Sequence, residues 1–347
     1  MNITPQIQRE LYNHSLYKSA DFFYDSLVLE NTNKCTAKCA ICYQAAGEQN
    51  SCDRLDVKIA KKCIREAFAL DCLKKRFHLA GGESFIYQDD CKELFACAKK
   101  TGYEVISCTT NAFWCRSLDN ARRVCETMRK NGLNHMEISW DYWHSQFVQP
   151  EAINNCIRAC FENEISSNLR LLSTKKHKMS EVMDLIDPDV IPLVGEISSG
   201  PVSDVGRASM MDESEFYAAP SGFNSNCYQA LCLAVNAKGF VAPCCSGFDQ
   251  CNEYVSGNIY NESIVAIVKR MNEDPILRRL VFKGIASFLP ILKKCGIKLE
   301  GKKNSTCKVC VQVFSKRENI EAISNYLKQQ NFENLKKILF KLAGSNG

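Results

Sequence analysis

The feature that most restricts this chain is a rhythm. Through its first two hundred residues, short β-like runs alternate with amphipathic helical stretches. Strands are predicted at residues 26–30, 76–80, 104–109, 135–140, 168–173 and 190–197, with helices at 55–70, 90–101, 117–131, 150–163 and 179–186. Leu55, Ile59, Cys63, Ala67 and Leu70 recur at the three-to-four spacing that buries one helix face. Strands separated by helices pair in parallel through right-handed crossovers. Six such units are too few to close an eight-stranded barrel, so an open, partial (β/α)6 barrel is the expected α/β fold. Chemistry in such folds sits on the loops at the carboxyl ends of the strands.

The second constraint is cysteine, at 21 of 347 residues. The N-terminus, Met1-Asn2-Ile3-Thr4-Pro5-Gln6, lacks a basic segment followed by an apolar one, so no export signal is read and a cytoplasmic location is expected. Thiols stay reduced there, and closely spaced reduced cysteines act as metal ligands or redox groups. A net charge of +5, from 44 basic and 39 acidic residues, is no polyanion-binding signature. Runs such as Lys74-Lys75-Arg76 are scattered, so no nucleic-acid surface is expected. The nearest approach to a membrane span, residues 280–292, is broken by Lys283, Gly284 and Pro290.

Cys35, Cys39 and Cys42 form C-x3-C-x2-C directly after the first strand. Three thiolates on one tight loop suit three irons of a [4Fe–4S] cubane and leave the fourth open, although ligand type alone does not exclude zinc. A closed zinc site needs a fourth ligand, and Cys52, beside Asp53 and Arg54, does not make a familiar zinc spacing. With Gly81-Gly82-Glu83 after the second strand, this pattern resembles the radical S-adenosylmethionine (radical SAM) superfamily. The resemblance continues in Thr109-Thr110-Asn111 after strand three and Ile138-Ser139-Trp140-Asp141 after strand four. It implies a barrel of the radical SAM type, with S-adenosylmethionine bound at the open iron through its amino and carboxylate groups. It also implies backbone contact to methionine at Gly81 and Gly82, with Glu83 favouring the ammonium. Asn111 joins the cofactor-binding set, and Ser139 and Asp141 face the ribose hydroxyls. The family's aromatic residue before the third cysteine is replaced by Ile41, with Tyr43 following, and Ser84 stands where proline is common.

From Cys227 onward the cysteines cluster differently. Cys227, Cys232, Cys244, Cys307 and Cys310 resemble the ligands of C-terminal auxiliary-cluster domains called twitch and SPASM. Nothing follows Cys310 to complete the two-cluster SPASM signature, so the resemblance implies a twitch-like domain with one further [4Fe–4S] cluster. Its implied ligands are Cys227, Cys244, Cys307 and Cys310; spacing leaves open that Cys232 or Cys245 replaces one of them, and a structural zinc fits the same ligand types. The expected organisation is a barrel over 1–200, a linker at 201–226, the auxiliary domain at 227–316 and a helical segment at 317–347. A hairpin is predicted around Ala237-Lys238. Other cysteines, including Cys63, Cys97, Cys125 and Cys156, fall on helices and read as core filling.

Trp140-Asp141-Tyr142-Trp143-His144 leaves strand four on the functional side. His144 and Asp141 are the acid–base candidates, against a capped turn with Phe147 packed on the next helix. His78, within an apolar strand, reads as a core histidine. Arg207 after the sixth strand is a candidate partner for a cofactor or substrate carboxylate. The resemblance implies an enzyme that reductively cleaves S-adenosylmethionine, using an external one-electron donor such as flavodoxin or ferredoxin, and abstracts hydrogen from its substrate. A ribosomally made peptide, crosslinked, oxidised or epimerised, is the preferred substrate, although only about 25 residues precede the first strand to capture a leader. A small-molecule radical dehydrogenase or rearrangement enzyme is the alternative. A non-catalytic zinc-binding scaffold is the reading from another class.

Overall fold

The structure is a computed structural model that describes residues 22–50, 52–218, 231–246, 248, 251, 253–301 and 304–344, with side chains to 330. Six strands joined by five helices run β1 (Leu27–Glu30), α1 (Val57–Phe68), β2 (Arg76–Ala80), α2 (Gln88–Thr101), β3 (Val105–Thr110), α3 (Leu118–Lys130), β4 (His135–Ser139), α4 (Pro150–Glu162), β5 (Ser166–Ser173), α5 (Ser180–Met183) and β6 (Glu196–Pro201). All neighbouring pairs from β1 to β6 are parallel.

Alternation along each strand explains why the sheet has two unlike faces. Phe77 and Leu79 of β2, Ile106 and Cys108 of β3, Met136 and Ile138 of β4, and Leu169 and Leu171 of β5 belong to one continuous core with the helices. The intervening residues, among them His78, Ser107, Glu137 and Arg170, lie outside that core. Helix starts are fixed locally. Asp56 caps α1 by accepting from the backbone N–H groups of Lys58 and Ile59, and Ser117 caps α3 at Asn120. The cysteines read as core filling are just that for Cys63, Cys125 and Cys156, which are buried, while Cys97 is half-buried against the same core.

One expectation needs correction. The sixth strand is not at 190–197, because Ile191–Leu193 closes a 3-10 turn around Pro192, which has no N–H to give a ladder. Pairing begins at Glu196 opposite Asn168, on an exposed edge strand that ends in Pro201. The predicted hairpin forms as β7 (Leu233–Val235) and β8 (Val241–Ala242), but β7 pairs in parallel with β1, Leu27 opposite Leu233. The strand order is therefore β6-β5-β4-β3-β2-β1-β7-β8. Leu233 and Val235 share the core of Leu27 and Leu29, so residues 233–242 continue the sheet instead of opening a detached lobe.

The remaining helices are α6 (Ile264–Glu273), α7 (Pro275–Lys283), α8 (Leu289–Lys294), α9 (Thr306–Phe314) and α10 (Arg317–Gly344). They join the same core through Ile267, Leu280, Leu292, Phe314 and Ile323. Among the described residues no helix is long and apolar enough to cross a membrane.

Candidate active site

The loop after β1 carries Cys35 and Cys39, both buried, and half-buried Cys42. It is wound on itself: Cys42 N–H donates to the Cys39 carbonyl at 3.2 Å, and Ala37 N–H donates to Cys35 Sγ at 3.4 Å. The loop after β2 is pressed against it. Gly82 N–H donates to the Thr32 carbonyl at 2.6 Å and Glu83 N–H to that of Lys34 at 2.8 Å. A Cβ on Gly81 would stand 2.5 Å from the Thr32 oxygen, and one on Gly82 would stand 2.3 Å from the Lys34 oxygen. Glycine at both positions thus lets the loops after β1 and β2 meet at backbone distance.

Glu83 is buried and fully engaged. Its Oε1 accepts from Thr110 Oγ1 at 2.9 Å and from Phe85 N–H at 3.1 Å, and its Oε2 accepts from Asn111 N–H at 2.7 Å. Burial pushes its carboxyl up to about 7 against those three donors. In this structure it ties the ends of β2 and β3 together. Asn111, so held, donates through Nδ2 to Cys35 Sγ at 3.8 Å and to Thr36 Oγ1 at 3.3 Å. Burial, then the nearby Glu83 charge, pushes the Cys35 thiol up to about 12. A thiol in that setting ionises when a cation shares the site, which suits a metal cluster.

Asp141 does two things. Its Oδ1 accepts from the N–H groups of Trp143 and His144 at 3.0 and 3.1 Å, capping the turn after β4. Its Oδ2 is buried with no hydrogen-bond partner among the described residues. His144 Nδ1 stands 2.9 Å from Asp141 Oδ1. Burial pulls the imidazole down, but Asp141 and the Cys39 thiol beside it raise it well above its ordinary value. Tyr142 stacks on His177 at 3.5 Å, whereas Phe147 is exposed and does not pack as expected. Ser139, half-buried, ends β4 opposite Arg170.

Ile41 lies in an apolar cluster with Trp143, Val202, Ala208 and Phe216, and the Tyr43 hydroxyl donates to Glu30 at 3.4 Å. Arg207 does not await a carboxylate. Its Nε donates to the Cys39 carbonyl at 2.9 Å and its Nη2 to the Ala46 carbonyl at 2.7 Å.

Two residues escaped sequence reasoning. Asn31, directly after β1, accepts from Ser84 Oγ through Oδ1 but leaves Nδ2 buried without a partner among the described residues. Gln44 does the same with Nε2 on the cysteine loop. Two donors and the Asp141 acceptor stand unsatisfied on the loops that leave β1 and β4 at their carboxyl ends, and buried polar atoms in that state fit a polar ligand. S-adenosylmethionine, with a carboxylate, an amine and ribose hydroxyls, meets this test. Their signal was weak, since isolated amides in loops read as turn formers.

His78 was expected in the core, but it alternates with Phe77 and Leu79 and so lies half-buried on the polar face of the sheet, with both ring nitrogens bonded. Its ring nitrogens bond Ser107 Oγ at 2.8 Å and Thr109 Oγ1 at 2.9 Å, and burial pulls it down to about 4. It shares the polar sheet face with Glu137, whose carboxyl is raised by burial, and with Arg170. A cavity of about 500 Å³ opens on that face at the amino ends of β1–β4, lined by Asp25, Arg76, His78, Ser107, His135 and Glu137 among others.

Of the second cysteine group, Cys227 lies outside the described residues. Cys232 Sγ is 3.6 Å from Cys245 Sγ. Both, with Cys244, pack on Val28, Ala80 and Ala234, on the face away from the helices. Cys307 and Cys310 lie on α9. Among the described residues no three His, Cys, Asp or Glu side chains surround a single metal ion.

Comparison with known proteins agrees with this geometry. Residues 29–187 match the model of the radical SAM superfamily. The chain is 24% identical over 315 residues, 88% of its length and 96% of the relative, to YydG of Bacillus subtilis (strain 168), a protein named for peptide biosynthesis. Among solved structures, anSMEcpe with bound AdoMet superposes with a TM-score of 0.50 at 11% identity, covering 86% of this chain and 98% of that one. SuiB of Streptococcus suis bound to S-adenosylmethionine gives 0.44 at 17% identity over 81% and 71%. The chain carries a radical SAM domain and is an enzyme of that superfamily.

Proposed function

We propose that this enzyme modifies a ribosomally made peptide by hydrogen abstraction. The observation that carries the reading is the cysteine loop, with Cys35, Cys39 and Cys42 wound together and held by Asn111 and Arg207. Those thiols would hold a [4Fe–4S] cluster. Asn31, Gln44, Ser139 and Asp141 would hold S-adenosylmethionine, beside Gly81, Gly82, Ile41 and Tyr43. Bound there, cluster and cofactor supply a 5′-deoxyadenosyl radical; the difficult chemistry is theirs. The chain's own residues orient them and keep water away. Ile41, Trp143 and Phe216 form the apolar packing beside the loop.

Two observations support a peptide. The relative YydG is named for peptide biosynthesis. The sheet face away from the helices presents Ser107, Thr109, Glu137, Asn168 and Arg170, polar groups suited to an extended backbone. Cys227, Cys232 or Cys245, Cys244, Cys307 and Cys310 are the ligand candidates for a second cluster. The sulfurs of Cys232 and Cys245 share that polar side of the sheet near β1. An external electron donor of the flavodoxin or ferredoxin kind completes the proposal, with no role for nucleic acid or membrane and a cytoplasmic setting.

The test is anaerobic. Reconstituted protein with S-adenosylmethionine and dithionite should release 5′-deoxyadenosine, and replacing Cys35, Cys39 and Cys42 with Ala should abolish it. A short peptide encoded beside the gene should then change mass, or gain deuterium at Cα in heavy water. Cofactor cleavage without any peptide product, together with turnover of a sugar or nucleoside, would overturn the peptide reading.

A further inference from the structure

We infer that Arg207 is a positioning residue for the cysteine loop, a cationic strap that fixes its winding and raises the potential of the cluster it carries. This rests on reading Cys35, Cys39 and Cys42 as the ligands. A loop tight enough to gather three thiols cannot bond its own carbonyls in a regular ladder, so those oxygens need outside donors. Three donors arrive from one residue more than 160 positions away in sequence. Arg207 Nε reaches the Cys39 carbonyl at 2.9 Å, Nη2 reaches that of Ala46 at 2.7 Å, and the main-chain N–H reaches that of Cys42 at 2.9 Å. The guanidinium is a rigid fork, and only such a group spans two carbonyls at fixed spacing.

The residue before it is committed to the same end. Gly206 has φ +58°, and a Cβ there would stand 1.9 Å from the Tyr43 oxygen and 2.6 Å from that of Cys42. The turn after β6 is therefore pressed onto the cysteine loop as closely as backbone allows. No carboxylate pairs with Arg207 among the described residues, so its charge acts uncompensated beside the cluster site. Net positive charge near an iron–sulfur cluster favours the reduced form.

The wild type, Arg207→Lys, Arg207→Met and Gly206→Ala are reconstituted without oxygen. Iron loss to a chelator and the midpoint potential, followed by electron paramagnetic resonance, are measured on each. Arg207→Met should lose iron roughly tenfold faster, the order set by one charge-assisted hydrogen bond, and its potential should fall. Arg207→Lys keeps the charge without the fork, so it should recover the potential but not the retention. Gly206→Ala keeps the arginine yet displaces the turn, and should lose iron like the methionine variant. A merely structural role would leave the potential unmoved. Should Arg207→Met fail to fold, Arg207→Lys decides: wild-type retention overturns the strap, and fast iron loss at wild-type potential supports it. Variants with unchanged retention and potential overturn the strap alone, whereas a wild type that holds no cubane on these three cysteines overturns the cluster reading beneath it.

Discussion

His78 shows how a single side chain couples the sheet to pH. Its ring nitrogens are enclosed by Ser107 and Thr109, and burial pulls it down to about 4 from an ordinary 6.5. Between those values the unfolded chain binds a proton that the folded chain refuses. Its contribution is therefore present above pH 6.5 and is lost as pH falls through 4, by at most about 3 kcal/mol. Urea unfolding of the reduced, metal-free protein should show stability declining across this window. His78→Gln should flatten the decline; an unchanged slope would mean that other groups carry it. Its place on the polar face follows from its alternation with Phe77 and Leu79, which the apolar run around it concealed in the sequence. What the sequence could not show was Arg207 on two carbonyls in place of a carboxylate, because hydrogen bonds to main chain leave no mark in residue type. Glu83 is similar: its identity was legible, but its three donors come from loops and strand ends brought together only by the fold.

At the scale of elements, the contact between the first two loops sets the site. Gly82 lies where a Cβ would meet the Lys34 carbonyl at 2.3 Å, and the clash is with backbone that cannot swing aside. Gly82→Ala should push the cysteine loop away from β2 and reduce iron incorporation several-fold on reconstitution, as read by iron and sulfide analysis. Full incorporation would show that the two loops can separate without consequence. The end of α2 falls where it was expected, with Gly102 capping it, but α1 begins at Val57 and not at Leu55, because Asp56 is its cap. Asp56→Ala should cost about 1 kcal/mol in urea unfolding, with no effect on iron content. The sixth strand was displaced because Val190, Ile191 and Val194 look like a buried strand by composition. Ile191 and Val194 instead pack on the core around a 3-10 turn, and the ladder falls to the more polar 196–201. Composition cannot separate those two uses of apolar residues.

At the scale of the molecule, β7 bears on what the C-terminal part does. By extending the sheet next to β1, it places Cys232 and its neighbours Cys244 and Cys245 on Val28 and Ala80, two residues before Gly82. A second cluster ligated there would sit within the same enclosure as the first and not on a separate module. That placement needs a long-range strand pairing, which no local pattern announces, although the cysteine spacing and the hairpin were legible. Cys307 and Cys310 come from α9, and of the proposed ligands of a second cluster they are the ones whose removal tests it most cleanly, since α9 lies far in sequence from the first loop. We expect about eight irons per chain in the wild type, the content of two cubanes. The Cys307→Ala, Cys310→Ala double variant should hold about half of that. It should still cleave S-adenosylmethionine, because Cys35, Cys39 and Cys42 remain, but it should form no modified peptide. Peptide product at the wild-type level from protein with half the iron would remove the second cluster from the chemistry. Unchanged iron would remove α9 from its ligand set, leaving Cys232, Cys244 and Cys245 to find other partners.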